Sequence, residues 1–267
     1  MIGIDKATLP KLCFVFFLAF ASPQLASGQS RQTVNQFADW FSASSTMKTS
    51  NRLSIFVDTQ FRFVDGTEAM QHQFRIGGDF KITDKFSFMP LGYVYVWNYQ
   101  YGKQPATYVN NEHRLYQQFT YKHKLGSFNL LHRLRTEERF IQAHHKDTNG
   151  DIIDDGYSKN KQFRIRYRIY GTLPLTKQQD PASMSIAPKS YYLVVYDELF
   201  MSWGEYVTYH EIDQNRIFVG LGYQFTKDLT IQSGFLWQLL VKANGAQQEN
   251  NIGIGTWLTY NFDFTKS

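Results

Sequence analysis

The sequence has almost no cysteine and only one long apolar segment. Its single cysteine, Cys13, lies in an apolar stretch at residues 12–21, which is too short to span a bilayer. After this stretch no apolar run approaches the roughly 20 residues of a membrane helix, and the mean hydropathy is −0.40. These absences exclude a helical membrane protein. They leave a β-barrel open, because a barrel strand needs only about 9–11 residues.

The N-terminal segment has the organisation of a secretory signal peptide. Lys6 and Lys11 precede the apolar stretch, and Ala26-Ser27-Gly28 supplies small residues for cleavage. We therefore predict that residues 1–28 are removed and that residues 29–267 form one mature domain; an uncleaved anchor is the alternative. The mature chain would then lack cysteine, which excludes a disulfide, a thiolate nucleophile and a sulfur-ligated metal.

Aromatic residues are abundant and positive charges are dispersed. Phe, Trp and Tyr make up 17% of the chain, which suits a barrel whose rings form girdles at the two membrane interfaces. The formal net charge is +5, but the basic residues are spread through alternating segments and do not form a tail. This distribution argues against nucleic acid as a partner.

The clearest periodicity lies at residues 162–175, where apolar and cationic residues alternate. A strand sends alternate side chains to opposite faces, so one face would be apolar and the other charged. In a membrane barrel these faces would meet lipid and the lumen respectively. The apolar set is Phe163, Ile165, Tyr167 and Ile169, and the cationic set is Arg164, Arg166 and Arg168.

Residues 51–264 divide into ten alternating segments of barrel length. Their connections also alternate, which is typical of outer-membrane barrels, whose short turns are periplasmic and whose long loops are outside. Residues 176–189 depart from this pattern. The tight turns are 83–85, 124–126 and 226–228, and the long polar connections are about 100–111, 142–161, 203–212 and 240–248.

The number of strands is left open by residues 33–44, which also have the pattern of a strand. Counting them would make eleven, whereas bacterial single-chain barrels have an even number. Either this segment lies outside the wall or a further strand completes it. We therefore predict an all-β, transmembrane, antiparallel up-and-down β-barrel of ten or twelve strands. A secreted soluble β-sandwich is less consistent with segments of about 11–14 residues, since globular strands usually have about 5–6.

The predicted lumen face carries many charges of both signs. Arginines at one parity could favour an anionic solute, or they could pair with acids in an internal network that stiffens a small barrel. We favour the network. The predicted lumen charges are Asp58, Arg62, Arg75, Asp79, Arg114, Arg133, Arg135, Glu137, Arg164, Arg166, Arg168, Glu198 and Arg216.

Signals for metal binding or catalysis are incomplete. Asp147, Asn149 and Asp151 match the first half of a calcium loop, but the glycine and the final glutamate of that motif are missing. His210-Glu211 or His113 could serve a lipid-active enzyme at the barrel rim, yet no ordered triad accompanies them. No cofactor motif is present, and we assign no catalytic residue.

Four short runs stand out along the predicted strands: Glu112–Phe119, Arg133–Phe140, Arg164–Tyr170 and Asp213–Tyr223. These runs resemble strands of a known family, DUF2490, whose members are outer-membrane β-barrels of unknown function. The resemblance covers about Trp40 to Phe264. It implies fold and location and transfers no functional residue. Outer-membrane proteins commonly end in an aromatic residue, whereas here three residues follow Phe264.

Together these patterns predict an exported Gram-negative outer-membrane barrel without catalytic activity. Its role would be that of a narrow channel or a structural or surface component with an arginine-rich lumen. A lipid-active enzyme and a secreted soluble binding protein are the alternatives. The expected partners are outer-membrane lipid, the barrel insertion machinery and a small anionic solute.

Overall fold

The computed structural model describes residues 31–176, 183–209 and 212–265. Within these ranges no helix is long and apolar enough to cross a membrane. In the described part of the chain, twelve strands join in a single sheet. They are β1 (Gln32–Lys48), β2 (Leu53–Val64), β3 (Glu68–Lys81), β4 (Phe86–Asn98), β5 (Glu112–Leu125), β6 (Phe128–Lys146), β7 (Ile152–Pro174), β8 (Ser190–Gly204), β9 (Ile212–Gln224), β10 (Leu229–Val241), β11 (Gln247–Tyr260) and β12 (Phe262–Asp263).

The sheet closes into a barrel, as predicted, and residues 33–44 belong to its wall. Neighbours from β1 to β11 pair antiparallel, and β11 then pairs with β1 in a parallel seam from Gln32↔Gln247 to Ser44↔Thr259. The twelfth strand has two residues and continues β11 along β1. Closure is therefore made by eleven long strands. The seam differs from the expected antiparallel closure because the first and last of an odd number of up-and-down strands run in the same direction.

The two ends of the barrel differ. Of the described residues, one end carries the turns after β1, β3, β5 and β9 with residues 175–176 and 183–189, whereas the other carries the turn at 65–67 and residues 99–111, 147–151, 205–209 and 242–246. Residues 142–161, predicted as a long loop, are mostly strand. There β6 and β7 continue as a hairpin in which His144 pairs with Asp154.

Outward-facing and lumen-facing side chains differ in polarity, as strand β7 shows. On β7 the rings of Phe163 and Tyr167 are 40% and 43% exposed, whereas Arg164 and Arg166 are 9% and 6% exposed. The hydrogen bonds between neighbouring strands satisfy the backbone N–H and C=O groups, so only side chains face the lipid or the lumen. This is the arrangement that the alternation predicted.

Strand β4 departs from the simple alternation. Its sequence suggested that Phe86 and Phe88 share a face with Val94 and Val96. In the structure Phe86 is 48% exposed, whereas Val94 and Val96 are buried. The register shifts between Met89 and Gly92, around Pro90, and such an irregularity moves all later side chains to the opposite face.

The lumen is packed unevenly. Aromatic and aliphatic side chains from β1, β8, β9 and β10 form one buried cluster inside the barrel. Two of the lumen rings lie flat against glycines: a Cβ on Gly92 would be 2.1 Å from the Tyr116 ring, and one on Gly222 would be 2.0 Å from the Tyr192 ring. Glycine at these positions gives the rings their space. The cluster comprises Ala38, Trp40, Tyr192, Val194, Tyr196, Phe218 and Leu236.

Aromatic rings also collect on the outer surface near the strand ends. At the end with the tight turns, Phe86 stacks on Tyr121 at 4.6 Å, and Tyr191 contacts Tyr223 at 4.6 Å. Near the other end, His72 lies against Tyr99 at 5.0 Å. Rings at both ends of an apolar outer face correspond to the girdles that anchor a barrel at the membrane interfaces.

Candidate functional site in the barrel lumen

Charged side chains surround a cavity of about 570 Å³ inside the barrel. Ten arginines and Lys122 line it, and seven carboxylates lie on the same face or contact its side chains within the described residues. The arginines therefore exceed these carboxylates by three. The arginines are Arg62, Arg75, Arg114, Arg133, Arg135, Arg139, Arg164, Arg166, Arg168 and Arg216; the acids are Asp58, Asp79, Glu112, Glu137, Glu198, Asp213 and Glu249.

Arg166 is the centre of the ion-pair network. Its Nη1 donates to Glu137 Oε1 at 2.6 Å, and its Nη2 donates to Glu198 Oε1 at 2.8 Å. Glu198 also contacts Arg133 and, at 3.4 Å, Arg216. Both carboxylates are at most 2% exposed. Buried charges tolerate such positions only when they are paired and hydrogen-bonded, and this arrangement brings together charges from β6, β7, β8 and β9.

A second group lies closer to the end with the long connections. Glu112 accepts Nε and Nη2 of Arg114 at 2.7 and 2.8 Å, and it also accepts Nη2 of Arg139 at 3.0 Å. Sequence reasoning missed Glu112 and Arg139. Both have the lumen parity of Arg114 and Glu137, so continuing the alternation by one more residue on each strand would have found them.

Two further arginines have acid partners on neighbouring strands. Arg75 makes a two-pronged contact with Asp58, with Nε at 2.6 Å and Nη2 at 2.7 Å from the two carboxylate oxygens. Arg164 donates to Ser202 at 2.7 Å and approaches Asp213 at 3.7 Å. Asp213 adjoins a register irregularity of β9, so alternation alone gave no reason to place it in the lumen.

Three of the predicted network members lack an opposite charge. Among the described residues no ion pair involves Arg62, Arg168 or Asp79. Arg62 donates instead to Gln60 Oε1 at 3.1 and 2.7 Å. The Nε of Arg168 and the Oδ1 of Asp79 are buried without a hydrogen-bond partner. The ion-pair network therefore includes only part of the predicted set, and Arg62 and Arg168 remain outside it.

Aromatic rings contact several of the guanidinium groups. The guanidinium carbons of Arg62 and Arg216 lie 4.0 and 4.4 Å from the Trp40 ring. Phe200 contacts Arg166 at 4.5 Å and Arg216 at 4.9 Å. The negative face of each ring stabilises the cations beside it. These contacts link arginine and aromatic side chains of β2, β1, β9, β8 and β7 inside the lumen, although β10 and β11 separate β1 from β9 in the sheet.

The connection between β4 and β5 folds across one mouth of the lumen. Tyr101, in this connection, donates to both oxygens of Glu249 on β11, at 3.2 and 3.0 Å. Lys242 also pairs with Glu249. Burial, followed by the charge of Glu249, raises the pKa of Tyr101 well above its ordinary value, so the hydroxyl stays a donor. These contacts narrow the entrance.

The remaining sequence candidates do not assemble a site among the described residues. Oδ1 of Asp147 accepts the backbone N–H of Asn149 at 2.9 Å and of Asp151 at 2.8 Å, which closes the β6–β7 turn. No group of three His, Cys, Asp or Glu side chains is arranged to hold a metal in the described ranges. His113 hydrogen-bonds the Tyr93 hydroxyl. His210-Glu211 lies outside the described residues.

Comparison with known proteins gives a family and a structural neighbour. The profile of a family described as a protein of unknown function, DUF2490, matches residues 37–250. A solved structure described as the NanC porin in a rhombohedral crystal form aligns with 84% of this chain and 98% of that chain, at 13% identity and a TM-score of 0.44. No curated protein matches the sequence.

Proposed function

Since the chain belongs to the DUF2490 family, whose description assigns no activity, we propose its role from the lumen: a narrow, non-catalytic outer-membrane channel that favours small anions. The excess of arginine over carboxylate along the cavity carries this proposal. Fixed charges of one sign in a narrow passage with low-dielectric walls raise the local concentration of ions of the opposite sign.

The ion pairs and the selectivity have compatible roles. The pairs around Arg166 hold the wall in one arrangement, because separating them would leave buried charges uncompensated. The cations beyond those pairs, among them Arg62 and Arg168, supply the field that an entering anion meets. A fully neutralised network would favour a purely structural barrel.

The outer surface supports an outer-membrane location. Apolar side chains face outwards along the strands, and aromatic rings collect near both ends. By analogy with other outer-membrane barrels, the end with the tight turns faces the periplasm and the end with the long connections faces outwards. Lipid is then the partner of the wall, and the barrel insertion machinery is the partner that places it in the membrane.

Conductance in planar bilayers tests the channel. In a potassium chloride gradient, the reversal potential of the wild-type barrel should be shifted towards the equilibrium potential of chloride. Arg168→Glu removes a cation that has no ion-pair partner and adds an acid, so it should shift the reversal potential towards potassium. Lys146→Glu, at an exposed position of the β6–β7 hairpin without an ion pair among the described residues, is the matched charge change and should leave it nearly unchanged. A barrel that inserts but stays silent would refute the channel.

A gel experiment checks the barrel before that measurement. A folded barrel should migrate differently before and after boiling in detergent, whereas a soluble sandwich should not.

A further inference from the structure

One stretch of the lumen wall holds hydrogen-bond donors without acceptors. The indole N–H of Trp40, the Nε of Arg216 and the amide nitrogen of Gln214 are all buried with no hydrogen-bond partner. These three side chains are 1%, 6% and 5% exposed, and all of them line the cavity. Unmet donors are costly when buried, because each loses its hydrogen bonds to water. Strands β1 and β9 are separated in the sheet by β10 and β11, but their side chains Trp40 and Arg216 meet inside the lumen at 4.4 Å. Three such donors in one region of the lumen point to a missing acceptor.

Arg62 adds a positive charge to the same stretch. Its guanidinium lies 4.0 Å from the Trp40 ring, and that of Arg216 lies 4.4 Å from the same ring. Among the described residues no ion pair involves Arg62. Its hydrogen bonds go to the neutral Gln60. Two guanidinium groups that share one ring, with a single acid contact between them (Glu198 to Arg216 at 3.4 Å), lack compensating negative charge.

We propose that Arg62, Trp40, Gln214 and Arg216 form a binding site for an oxyanion, the carboxylate or phosphate group of a small solute. Such a group brings several acceptor oxygens and a negative charge, which are what these donors lack. A planar guanidinium fork matches carboxylate and phosphate oxygens, whereas chloride offers no such geometry. The site deepens the proposed function and rests on it only in requiring that solutes enter the lumen from water.

The chain offers a control that matches the key residue. Arg168 is another lumen arginine without an ion-pair partner, but it lies against Tyr170 and Tyr196, at 5.4 and 5.7 Å, and away from Trp40. Arg62→Gln and Arg168→Gln therefore remove the same charge from the same cavity, and neither breaks an ion pair. Only the first removes a member of the proposed site.

Isothermal titration calorimetry of the detergent-solubilised mature chain tests the site, with sodium phosphate, sodium acetate and sodium chloride as probes at equal ionic strength. Phosphate or acetate should bind saturably and chloride should not. Arg62→Gln should weaken this binding at least ten-fold and Arg168→Gln less than about two-fold. Trp40→Phe keeps the ring but loses the indole donor, so it should weaken binding several-fold. Heat-modifiable gel mobility confirms that each variant is folded.

Several outcomes would overturn the site. The first is that the wild type shows no saturable oxyanion binding. The others are an equal loss of oxyanion binding in Arg62→Gln and Arg168→Gln, and binding of chloride as tight as that of the oxyanion. Either of the last two would indicate that the lumen arginines act through a diffuse positive field and form no defined site. The channel fails separately: saturable binding in calorimetry together with silence in planar bilayers would refute the channel and support the site.

Discussion

Replacing Glu137 with Gln removes one charge from the centre of the lumen with little change of shape. Glu137 is 0% exposed. Its carboxylate lies 2.6 Å from Arg166, 3.6 Å from Arg135 and 3.9 Å from Arg114. The glutamine oxygen can still accept one hydrogen bond, so the substitution acts chiefly on the three charge pairs.

The expected cost follows from these contacts. An ion pair at 4 Å contributes about 4 kcal/mol of gross attraction at an effective dielectric constant near 20. Most of that gain is offset by the cost of removing both charges from water, but deleting one partner leaves the other charges buried and uncompensated. Breaking a buried pair in this way typically costs about 3–5 kcal/mol. We expect Glu137→Gln to lower the free energy of unfolding by about 3 kcal/mol or more.

The neighbouring residue provides the control. Glu138 lies on the same strand but on the outer face and is exposed, and no ion pair of the described residues involves it. Glu138→Gln removes the same charge one position along the chain and should leave the free energy of unfolding unchanged or raise it, because a charge on the lipid-facing side of a barrel is unfavourable.

Urea unfolding of both variants in lipid vesicles, followed by tryptophan fluorescence, measures the difference. Equal effects of the two substitutions would contradict the reasoning, because the charge of Glu137 would then be no more important than that of an exposed carboxylate. A more stable Glu137→Gln barrel would show that desolvation of this carboxylate outweighs all of its pairs.

Three further predictions concern the mouth and the seam. Tyr101→Phe removes the hydroxyl that contacts Glu249 across the mouth, so single-channel conductance should rise. The pKa of Tyr101 is raised well above its ordinary value, so its hydroxyl stays protonated at pH 10. Raising the pH of the wild type to 10 should therefore not produce the same rise in conductance. Cysteines at Ala43 and Leu258, which are partners across the parallel seam, should form a disulfide under mild oxidation, and failure to do so would contradict closure by eleven strands. A tag placed before Gln32 should be accessible from the side opposite to a C-terminal tag, whereas an even-stranded barrel would put both tags on one side.

The alternation along each strand allowed much of the lumen to be predicted. Arg133, Arg135 and Glu137 occupy every second position of β6, and a period of two fixes which face they share. The same rule failed on β4, because the irregularity around Pro90 exchanges its faces. It also omitted Asp213, which adjoins another irregularity. Local periodicity cannot show where a strand gains a residue relative to its neighbour.

The strand count shows a different limit. Residues 33–44 have a clear strand pattern, yet a general preference for even-numbered barrels left their position open. Their pairing depends on hydrogen bonds to residues 247–259, more than 200 positions away in the chain. No local signal encodes such a contact. The parallel seam emerged only when the first and last long strands were brought side by side.

By itself the sequence determined the class of fold, the strand segments and the sign and parity of the lumen charges, because those properties depend on the alternation of neighbouring residues. The tertiary structure decided which charges meet. Glu137 and Glu198 each form ion pairs with several arginines of neighbouring strands. Arg62 lies near Trp40 and Arg216 and has no ion pair among the described residues. Register between strands sets these distances, and register is a property of the closed barrel.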